Sequence, residues 1–557
     1  MAYTKIFLGD LPEIINEIIQ YFQNDFSTLH SCILVNRIWC RLAIPLLWEN
    51  PFSLRYPKNY RYIEVYLHNL NDYDRSQLNE YGISNDSFLS NTLFNYPSFT
   101  QHLDTRKISD SIEKWVATVR ISTVKEQFSN IFVRENVDQK SLKYTKMIYR
   151  SLFRLFIEKE ADINTLEVTM LIDNDLEYFN DTFELILQNP NFIRNIRNLT
   201  LDFDPANDNI TKFMIFLYSN CNSISSLYFL FPWYYYTTTE KHLSQIIDSQ
   251  QNLKKISLCF NDLPLYHSLL SLKNPNCINS LRTIIFYHVS FKDIVVLNEV
   301  LDQLNVLESI HILYCYSLDS SNFIQQISNL TKPFKLKSLF MNEPLIKPLE
   351  LLLQKSGDYL ENFGLEDELL QEILELSIKY CNSKIKFLKF SGFDNQIIYK
   401  IFNLIKQVEL SLNYLAIESH YDDKLGSIVL KNLGQILPTK LEYLSLSLEI
   451  NTNDFEIFLK NSQDIFIKKL LIKNIRNGKR EESEKKNILP YIKEYIMKKK
   501  RIKYFAFLEY FFIQTPIEND DLFSLKDEVK EFRLHNIIVQ NYYDLNIEVR
   551  EFINEMY

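Results

Sequence analysis

Glycine is nearly missing from this chain, with eight in 557 residues. Phosphate-cradling loops need glycine where backbone N–H groups must approach a ligand closely. The closest pair here is Gly357 and Gly364, and neither GxGxxG nor GxxxxGK[ST] occurs. That argues against nucleotide-dependent enzymes of the common folds. Cysteine is sparse and unpatterned: Cys32, Cys40, Cys221, Cys259, Cys277, Cys315 and Cys381 are odd in number and form no CxxC. A disulfide framework and a zinc site both lack support, and buried, reduced thiols of a cytosolic or nuclear protein are expected. The nine histidines are scattered, without HExxH. No metal, no cofactor and no catalytic residue is assigned, so a non-enzymatic protein is expected.

Long apolar runs are missing too. The longest uncharged run, Phe213 to Thr239, is broken by Ser, Asn and Pro232, and its apolar part, Leu227 to Tyr236, is too short to cross a bilayer. Asp10 and Glu13 interrupt the early apolar residues, so no signal peptide is read. The formal charge of −9 is spread over interleaved acidic and basic residues, which disfavours a nucleic-acid partner. No membrane partner is expected.

What is present is length and apolar content. A chain of 557 residues exceeds one compact core, and 46% hydrophobic residues excludes a largely disordered one. Several domains or a repeat array must follow.

The first fifty residues read as three short helices. Leu11, Ile14, Ile15, Ile18, Ile19 and Phe22 fall on one helical face. Pro12 suits a first turn, with Asp10 and Glu13 as acidic N-terminal charge. A second helix is predicted over Asp25 to Val35, with Phe26, Leu29, Cys32 and Ile33 apolar. A third begins near Arg37, carries Trp39, Leu42 and Ile44, and should end at Pro45 before the cluster Leu46, Leu47, Trp48. Three helices in about forty residues make a marginal core, which is a physical reason to expect a partner surface or a covering neighbour.

The string Leu11-Pro12-Glu13-Ile14, then Ile18, Asp25, Leu29, Cys32, Val35-Asn36-Arg37, Trp39 and Pro45-Leu46-Leu47-Trp48 resembles an F-box over roughly residues 8–50. Phe22 departs from the family, which more often has leucine there. The resemblance implies docking onto the Skp-type adaptor of cullin–RING ubiquitin ligases. By the same resemblance Leu11, Pro12, Ile15, Ile18, Leu29, Cys32, Val35 and Trp39 would lie at or just beneath that contact.

Pro45, Pro51 and Pro57 mark a boundary. Residues 51–160 are expected to be a mostly helical connector and N-terminal cap, with a helix or an insertion near Asn85 to Pro97. Helical spacing returns from Lys107 to Glu160, and Trp115 is expected in the core.

From residue 161 onward the period decides. An apolar-x-x-apolar-x-apolar hexad recurs as Ile163/Leu166/Val168, Ile196/Leu199/Leu201, Ile224/Leu227/Phe229, Leu253/Ile256/Leu258, Leu281/Ile284/Phe286, Leu307/Ile310/Ile312 and Leu336/Leu339/Met341. It continues as Leu360/Phe363/Leu365, Ile385/Leu388/Phe390, Leu412/Leu415/Ile417, Leu441/Leu444/Leu446, Ile467/Leu470/Ile472, Ile502/Phe505/Phe507 and Val529/Phe532/Leu534. The steps run from 24 to 35 residues, about 28 on average, at or near leucine-rich-repeat length. The copy at Leu253 completes the signature with Asn261 and Leu263, and the copy at Leu307 has Cys315 at the Asn/Cys position. The fold expected for residues 161–557 is an α/β solenoid, a leucine-rich-repeat horseshoe of about 14 repeats with parallel strands inside and helices outside. Phe291 to Leu304 exemplifies the helices. Tyr543, Leu545, Ile547, Val549, Phe552, Ile553 and Met556 are expected to cap its end.

The last two apolar residues of each hexad should point into the core, and the alternate positions onto the concave face. Candidate substrate-binding residues there are Lys255, Ser257, His311, Phe340, Asn342, Glu366, Lys389, Tyr443, Lys469 and Arg533. Their polar, aromatic and charged mixture suits a protein or peptide partner. Phe231-Pro232-Trp233-Tyr234-Tyr235-Tyr236 could present aromatics or pack in the core, and Lys498-Lys499-Lys500-Arg501 reads as an import patch or a solvated helix face.

The whole resembles the F-box/leucine-rich-repeat substrate adaptors of Skp–cullin–F-box ubiquitin ligases. This implies a Skp-type adaptor and a cullin scaffold as partners, an unknown protein substrate, and a cytoplasmic or nuclear location. The alternative is a leucine-rich-repeat interaction scaffold outside any ligase, whose leading helices only cap the repeats.

Overall fold

The computed structural model describes residues 12–23, 25–54, 57, 59–80, 92–124, 134–170, 173–203, 208–231, 236–262, 264–366, 371–381, 384–419, 423–476, 488–511 and 519–557. Two units are distinguished: Met1–Ile256 with His267–Leu281, and Ser257–Tyr266 with Arg282–Tyr557.

The first unit opens with three helices, α1 (Pro12–Gln20), α2 (Phe26–Ile33) and α3 (Arg37–Leu47). Asp25 starts α2 by accepting the Thr28 amide at 3.0 Å, and Asn36 starts α3 by accepting the amides of Ile38 and Trp39. Pro45 does not end α3. The helix carries it internally and runs on to Leu47, where the Trp48 N–H closes the turn onto Ile44 and Pro45. Ile15, Ile19, Leu29, Cys32, Trp39, Ala43 and Leu46 form the module's core.

The connector follows as helices Tyr62–Leu67, Asp72–Glu80, Thr105–Val124 and Arg134–Glu158. Part of the segment near Asn85 to Pro97 lies outside the described residues; its end, Tyr96–Phe99, is a 3-10 turn. Trp115 is buried, with its indole N–H on Glu64 at 3.2 Å. The connector also supplies a strand absent from the sequence reading, β1 (His102–Asp104), which pairs in parallel with β2 (Thr165–Met170). Three residues are too few to show a periodicity. Then β3 (Asn198–Phe203) and β4 (Ser226–Leu230) add in parallel, alternating with helices such as Asp173–Leu187 and Asp208–Asn220. Those two helices meet through Phe179 and Phe213, edge to face at 5.3 Å. The buried Gln250 side chain accepts the Ile224 amide at 2.9 Å and donates to the Cys221 and Ile246 carbonyls, joining neighbouring repeats.

β5 (Lys255–Asn261) carries the division between the units. In the second unit β6 (Thr283–Val289), β7 (Ser309–Leu313), β8 (Leu336–Asn342), β9 (Asn362–Glu366), β10 (Phe387–Ser391), β11 (Tyr414–Glu418), β12 (Tyr443–Leu448), β13 (Ile467–Arg476) and β14 (Ile502–Phe511) run parallel, each beside the next. β15 (Asn519–Asp521) is antiparallel to β14, and the two-residue β16 (Ile538–Val539) parallel to it. Helices alternate with the strands, among them Leu297–Gln303, Ile346–Ser356 and Ile398–Gln407. Within each unit this is an α/β solenoid-like arrangement.

Hexads fall on strands for thirteen of the fourteen copies, and their last two apolar residues are buried in every one of these. The ladder keeps them in line: Leu388, Leu415, Leu444, Leu470 and Phe505 are successive cross-strand partners. One irregularity interrupts it. Between β7 and β8 the pairing jumps from Ile310↔Leu336 to His311↔Ser338, so β8 carries an extra residue and the hexads slip.

Three expectations are corrected. The fourteenth hexad is helical: Val529, Phe532 and Leu534 lie in Lys526–Leu534, and Leu534 is exposed. Asp527 and Glu528 in its first turn and Arg533 in its last suit a helix dipole, and Val529 with Phe532 satisfies helical spacing as well as the hexad. The Phe291 to Leu304 helix is shorter, Leu297–Gln303, although Phe291 and Ile294 are buried ahead of it. The C-terminal residues do not cap an end; they lie on the sheet, as described next.

Candidate functional site

In a parallel array the residues between the buried hexad positions face away from the helices. In the second unit, cross-strand register arranges them in rows. One row runs Ile285, His311, Ser338, Asn362, Phe387, Tyr414, Tyr443, Lys469, Tyr504. The next runs Tyr287, Leu313, Phe340, Gly364, Lys389, Ala416, Ser445, Leu471, Ala506. Small residues in the second row leave a trough beside the aromatics of the first. Gly364 belongs to it: a Cβ there would fall on the Phe340 ring and 3.1 Å from the Lys389 carbonyl oxygen.

The chain's own C-terminal segment fills this trough. After β16 come a one-turn helix, Tyr542–Leu545, and a terminal helix, Val549–Met556. Val549 and Ile553 bury against Ile285, Leu313, Phe340, Phe387 and Ala416, with Phe552 and Tyr557 packed at the margin. Tyr542 and Leu545 bury against Tyr443, Leu471, Ala506 and Leu508. The Phe552 ring meets Phe387 at 5.1 Å and Tyr414 at 4.8 Å. Burial of each large apolar side chain contributes about 1.5–3 kcal/mol.

Side chains pin the segment. Ser257 Oγ donates to Asn554 at 3.0 Å, and Tyr443 Oη accepts the Ile547 amide at 3.2 Å. Tyr557 Oη donates to Glu361 at 2.8 Å and accepts from Asn362 at 3.0 Å, while its ring packs on His311 at 4.5 Å and under the Lys337 ammonium. Burial raises the Tyr557 phenol, and Glu361 raises it further. Burial works against the Glu361 carboxylate, but hydrogen bonds from Lys386 and Tyr557 and the Lys337 charge hold it below its ordinary value. Burial pushes the Tyr443 phenol up to about 12.

Beside the segment, Lys389 Nζ lies 2.8 Å from Glu366 and 3.8 Å from Glu418, and Tyr314 Oη donates to Glu366 at 2.6 Å. Burial lowers the Lys389 ammonium, but Glu418 and Glu366 outweigh it and hold it above the usual lysine value. At the strand ends Phe260, His288 and Tyr314 adopt left-handed backbone, φ 53°, 51° and 54°, and their rings stack in sequence. Bulky residues rarely adopt that region. Burial, then Arg550, lowers the His288 pKa.

The expected concave-face residues are thus redistributed. Ser257, His311, Phe340 and Tyr443 do meet on one face, but they are covered, at most 1% exposed. Glu366 and Lys389 pair beside the segment, and Lys469 is half-buried between Tyr443 and Tyr504, its ammonium lowered by burial and by Lys468. Asn342 is exposed at the end of β8, and Lys255 belongs to the first unit. Arg533 is an exposed helical residue, not a strand one. The sequence reading missed Ile285, Phe387, Tyr414, Leu471 and Ala416. The missed signal was apolar or aromatic character at the alternate hexad positions of the second unit, where the first unit has Thr165, Glu167, Asn198 and Thr200.

In the leading module, Leu11 lies outside the described residues and Pro12 opens α1. Ile15, Leu29, Cys32 and Trp39 are core, Ile18 packs partly against it, and burial, then Asp25, raises the Cys32 thiol. Val35 is exposed, as are its neighbours Leu34, 78% exposed, and Ile38. These three form an apolar ridge at the α2–α3 turn. Ile14, expected on the buried face of α1, is 42% exposed. The module is tied to β1: the amides of Gln101 and His102 both donate to the Glu49 carbonyl, and the Glu49 carboxylate accepts from Gln23 and contacts the His102 ring at 3.2 Å. The His102 bond lowers the Glu49 pKa against its burial, with help from Gln23. Trp48 seals the junction against Tyr66 and Tyr96.

Pro232 to Tyr235 and Leu263 lie outside the described residues. Lys498, Lys499 and Lys500 are exposed, whereas Arg501 is buried with its guanidinium on the carbonyls of Leu459, Ser462 and Ile465, closing the end of the helix Thr452–Asn461. None of the seven cysteines is in a disulfide. Cys315 donates to the Phe286 carbonyl, and burial pushes its thiol up to about 12. Among the described residues no cluster of metal-ligating side chains occurs, and no helix is long and apolar enough to cross a membrane.

The class defined by this geometry is an array of parallel strands and alternating helices, led by a small helical module, with one sheet face occupied by the chain's own terminus. No known protein-family profile matches the chain, and no curated protein does.

Proposed function

We propose that this chain is the substrate-recognition adaptor of a cullin–RING ubiquitin ligase of the Skp–cullin–F-box type, acting in the cytoplasm or nucleus and catalysing nothing itself. The observation that carries the reading is the apolar ridge Leu34, Val35 and Ile38, exposed on a capped three-helix module at the head of a strand–helix array. Exposed, adjacent apolar side chains on a module with a formed core suit a protein partner. The module docks on the Skp-type adaptor, which joins it to the cullin. The leucine-rich-repeat array holds a protein substrate, and tethering raises the local concentration of the substrate's lysines to roughly millimolar levels.

The test is co-purification from cells. The chain is expected to recover the Skp-type adaptor, and Leu34→Asp with Val35→Asp to abolish recovery while the array stays folded. A second reading, a leucine-rich-repeat scaffold outside any ligase, draws on the bonds from Gln101 and His102 to Glu49, which suit a module that merely covers β1. Absence of the adaptor from the recovered complex would favour it.

A further inference from the structure

The segment Asn541–Tyr557 lies on the second unit's sheet as a ligand would. Apolar side chains at Val549, Phe552, Ile553 and Tyr557 follow i, i+3, i+4, i+8 spacing and face the sheet, Val549 and Ile553 buried and Phe552 and Tyr557 at the margin, while Glu551 and Glu555 are exposed. Hydrogen bonds from the segment to the sheet use side chains, among them those of Ser257, Glu361, Asn362, Tyr443 and Asp521. Backbone bonds within it are local, as from Phe552 N–H to Glu548 and from Tyr557 N–H to Ile553. Lifting it therefore leaves the parallel ladder intact. An eight-residue helix is also too short to hold its shape in water, so a released segment loses its form and an incoming one gains it on the sheet.

We propose that this sheet face is a binding site for an amphipathic helical segment of a partner protein, held shut in the isolated chain by residues 541–557 acting as an internal competitor. The partner segment carries aliphatic or aromatic residues at the same four positions and a hydrogen-bonding ring at the last. The ring corresponds to Tyr557 between Glu361 and His311. Ala416, a small residue in the cluster with Val549 and Ile553, lets the segment lie close across the strands. Binding is then a displacement, and the site's apparent affinity is its intrinsic affinity scaled by the fraction of chains with the segment lifted. This extends the adaptor reading by naming what the array grips. Its test reads no Skp-type adaptor, so each can fail alone.

The experiment uses the full chain and a fluorescent synthetic peptide of residues 541–557. In Val549→Asp with Ile553→Asp the internal segment is released, and the peptide is expected to bind at least ten-fold tighter than to the unaltered chain. A peptide carrying the same two changes is expected not to bind. Hydrogen exchange on the unaltered chain is read in parallel, with amides of 549–557 expected to exchange at least ten-fold faster than those of β10 to β12. A folded variant that takes up no peptide overturns the proposal. So does a terminal segment that exchanges as slowly as the strands, and this measurement decides alone should the variant not fold. A variant that binds only by exchanging segments between two copies overturns the partner assignment.

Discussion

Tyr557 Oη donates a 2.8 Å hydrogen bond to Glu361, 196 residues earlier, and accepts one from Asn362. Tyr557→Phe keeps the ring against His311 and removes only the hydroxyl. It is expected to cost about 1–3 kcal/mol, the penalty for stranding part-buried polar partners, and to speed amide exchange in the terminal helix without moving that of β10 to β12. Exchange rates unchanged in both regions would remove this contact from the account.

Gly364→Ala tests the trough. The added methyl meets the Phe340 ring and the Lys389 carbonyl, and Phe340 is itself fully buried under the terminal segment. Overpacking of this kind costs about 1–3 kcal/mol. A lower urea midpoint is expected, along with greater protease sensitivity of residues 541–557. An unchanged midpoint would mean that Phe340 has room to move.

Acid should loosen both ends of the molecule. Glu49 and Glu361 are more acidic folded than unfolded, so their contribution is present above the ordinary carboxyl pKa of 4.5 and lost as pH falls through their lower folded values. Stability by urea titration should therefore decline below about pH 4.5. Glu49→Gln with Glu361→Gln should be less stable than the unaltered chain at pH 7 and should show a shallower acid decline. An equally steep decline in the double variant would place the acid sensitivity elsewhere.

How much of this was legible in the sequence follows from the range of the interactions. The buried hexad positions alternate along single strands, so Leu388, Leu415 and Leu444 announced themselves by local spacing. The module's core follows from its helical stripe, whereas the capping roles of Asp25 and Asn36 emerged only with the structure. The apolar residues of the terminal segment were visible as covering some surface, but their destination was not. Val549 and Ile553 suit an end cap and a sheet face equally, and their partners Ile285 and Phe340 are more than 200 residues away. The β7–β8 slip is a register effect between two strands, which neither strand's pattern carries alone. Arg533 was misplaced because Val529 and Phe532 satisfy two periodicities at once.

The leading module separates core from surface sharply. Leu29→Ala removes a fully buried side chain and is expected to cost about 2–5 kcal/mol in the stability of the first unit. Leu34→Asp with Val35→Asp alters exposed positions and is expected to stay within about 0.5 kcal/mol of the unaltered chain. Chemical denaturation of the three proteins checks both. A large loss in the double variant would mean that the ridge is structural rather than free for a partner.

The adaptor reading itself turns on whether that ridge binds. Isothermal titration of the purified full chain with purified Skp-type adaptor tests it most directly. Saturable one-to-one binding, weakened at least a hundred-fold by Leu34→Asp with Val35→Asp at unchanged unfolding midpoint, is the predicted result. No heat of binding with the unaltered chain, or undiminished binding with the variant, would contradict it.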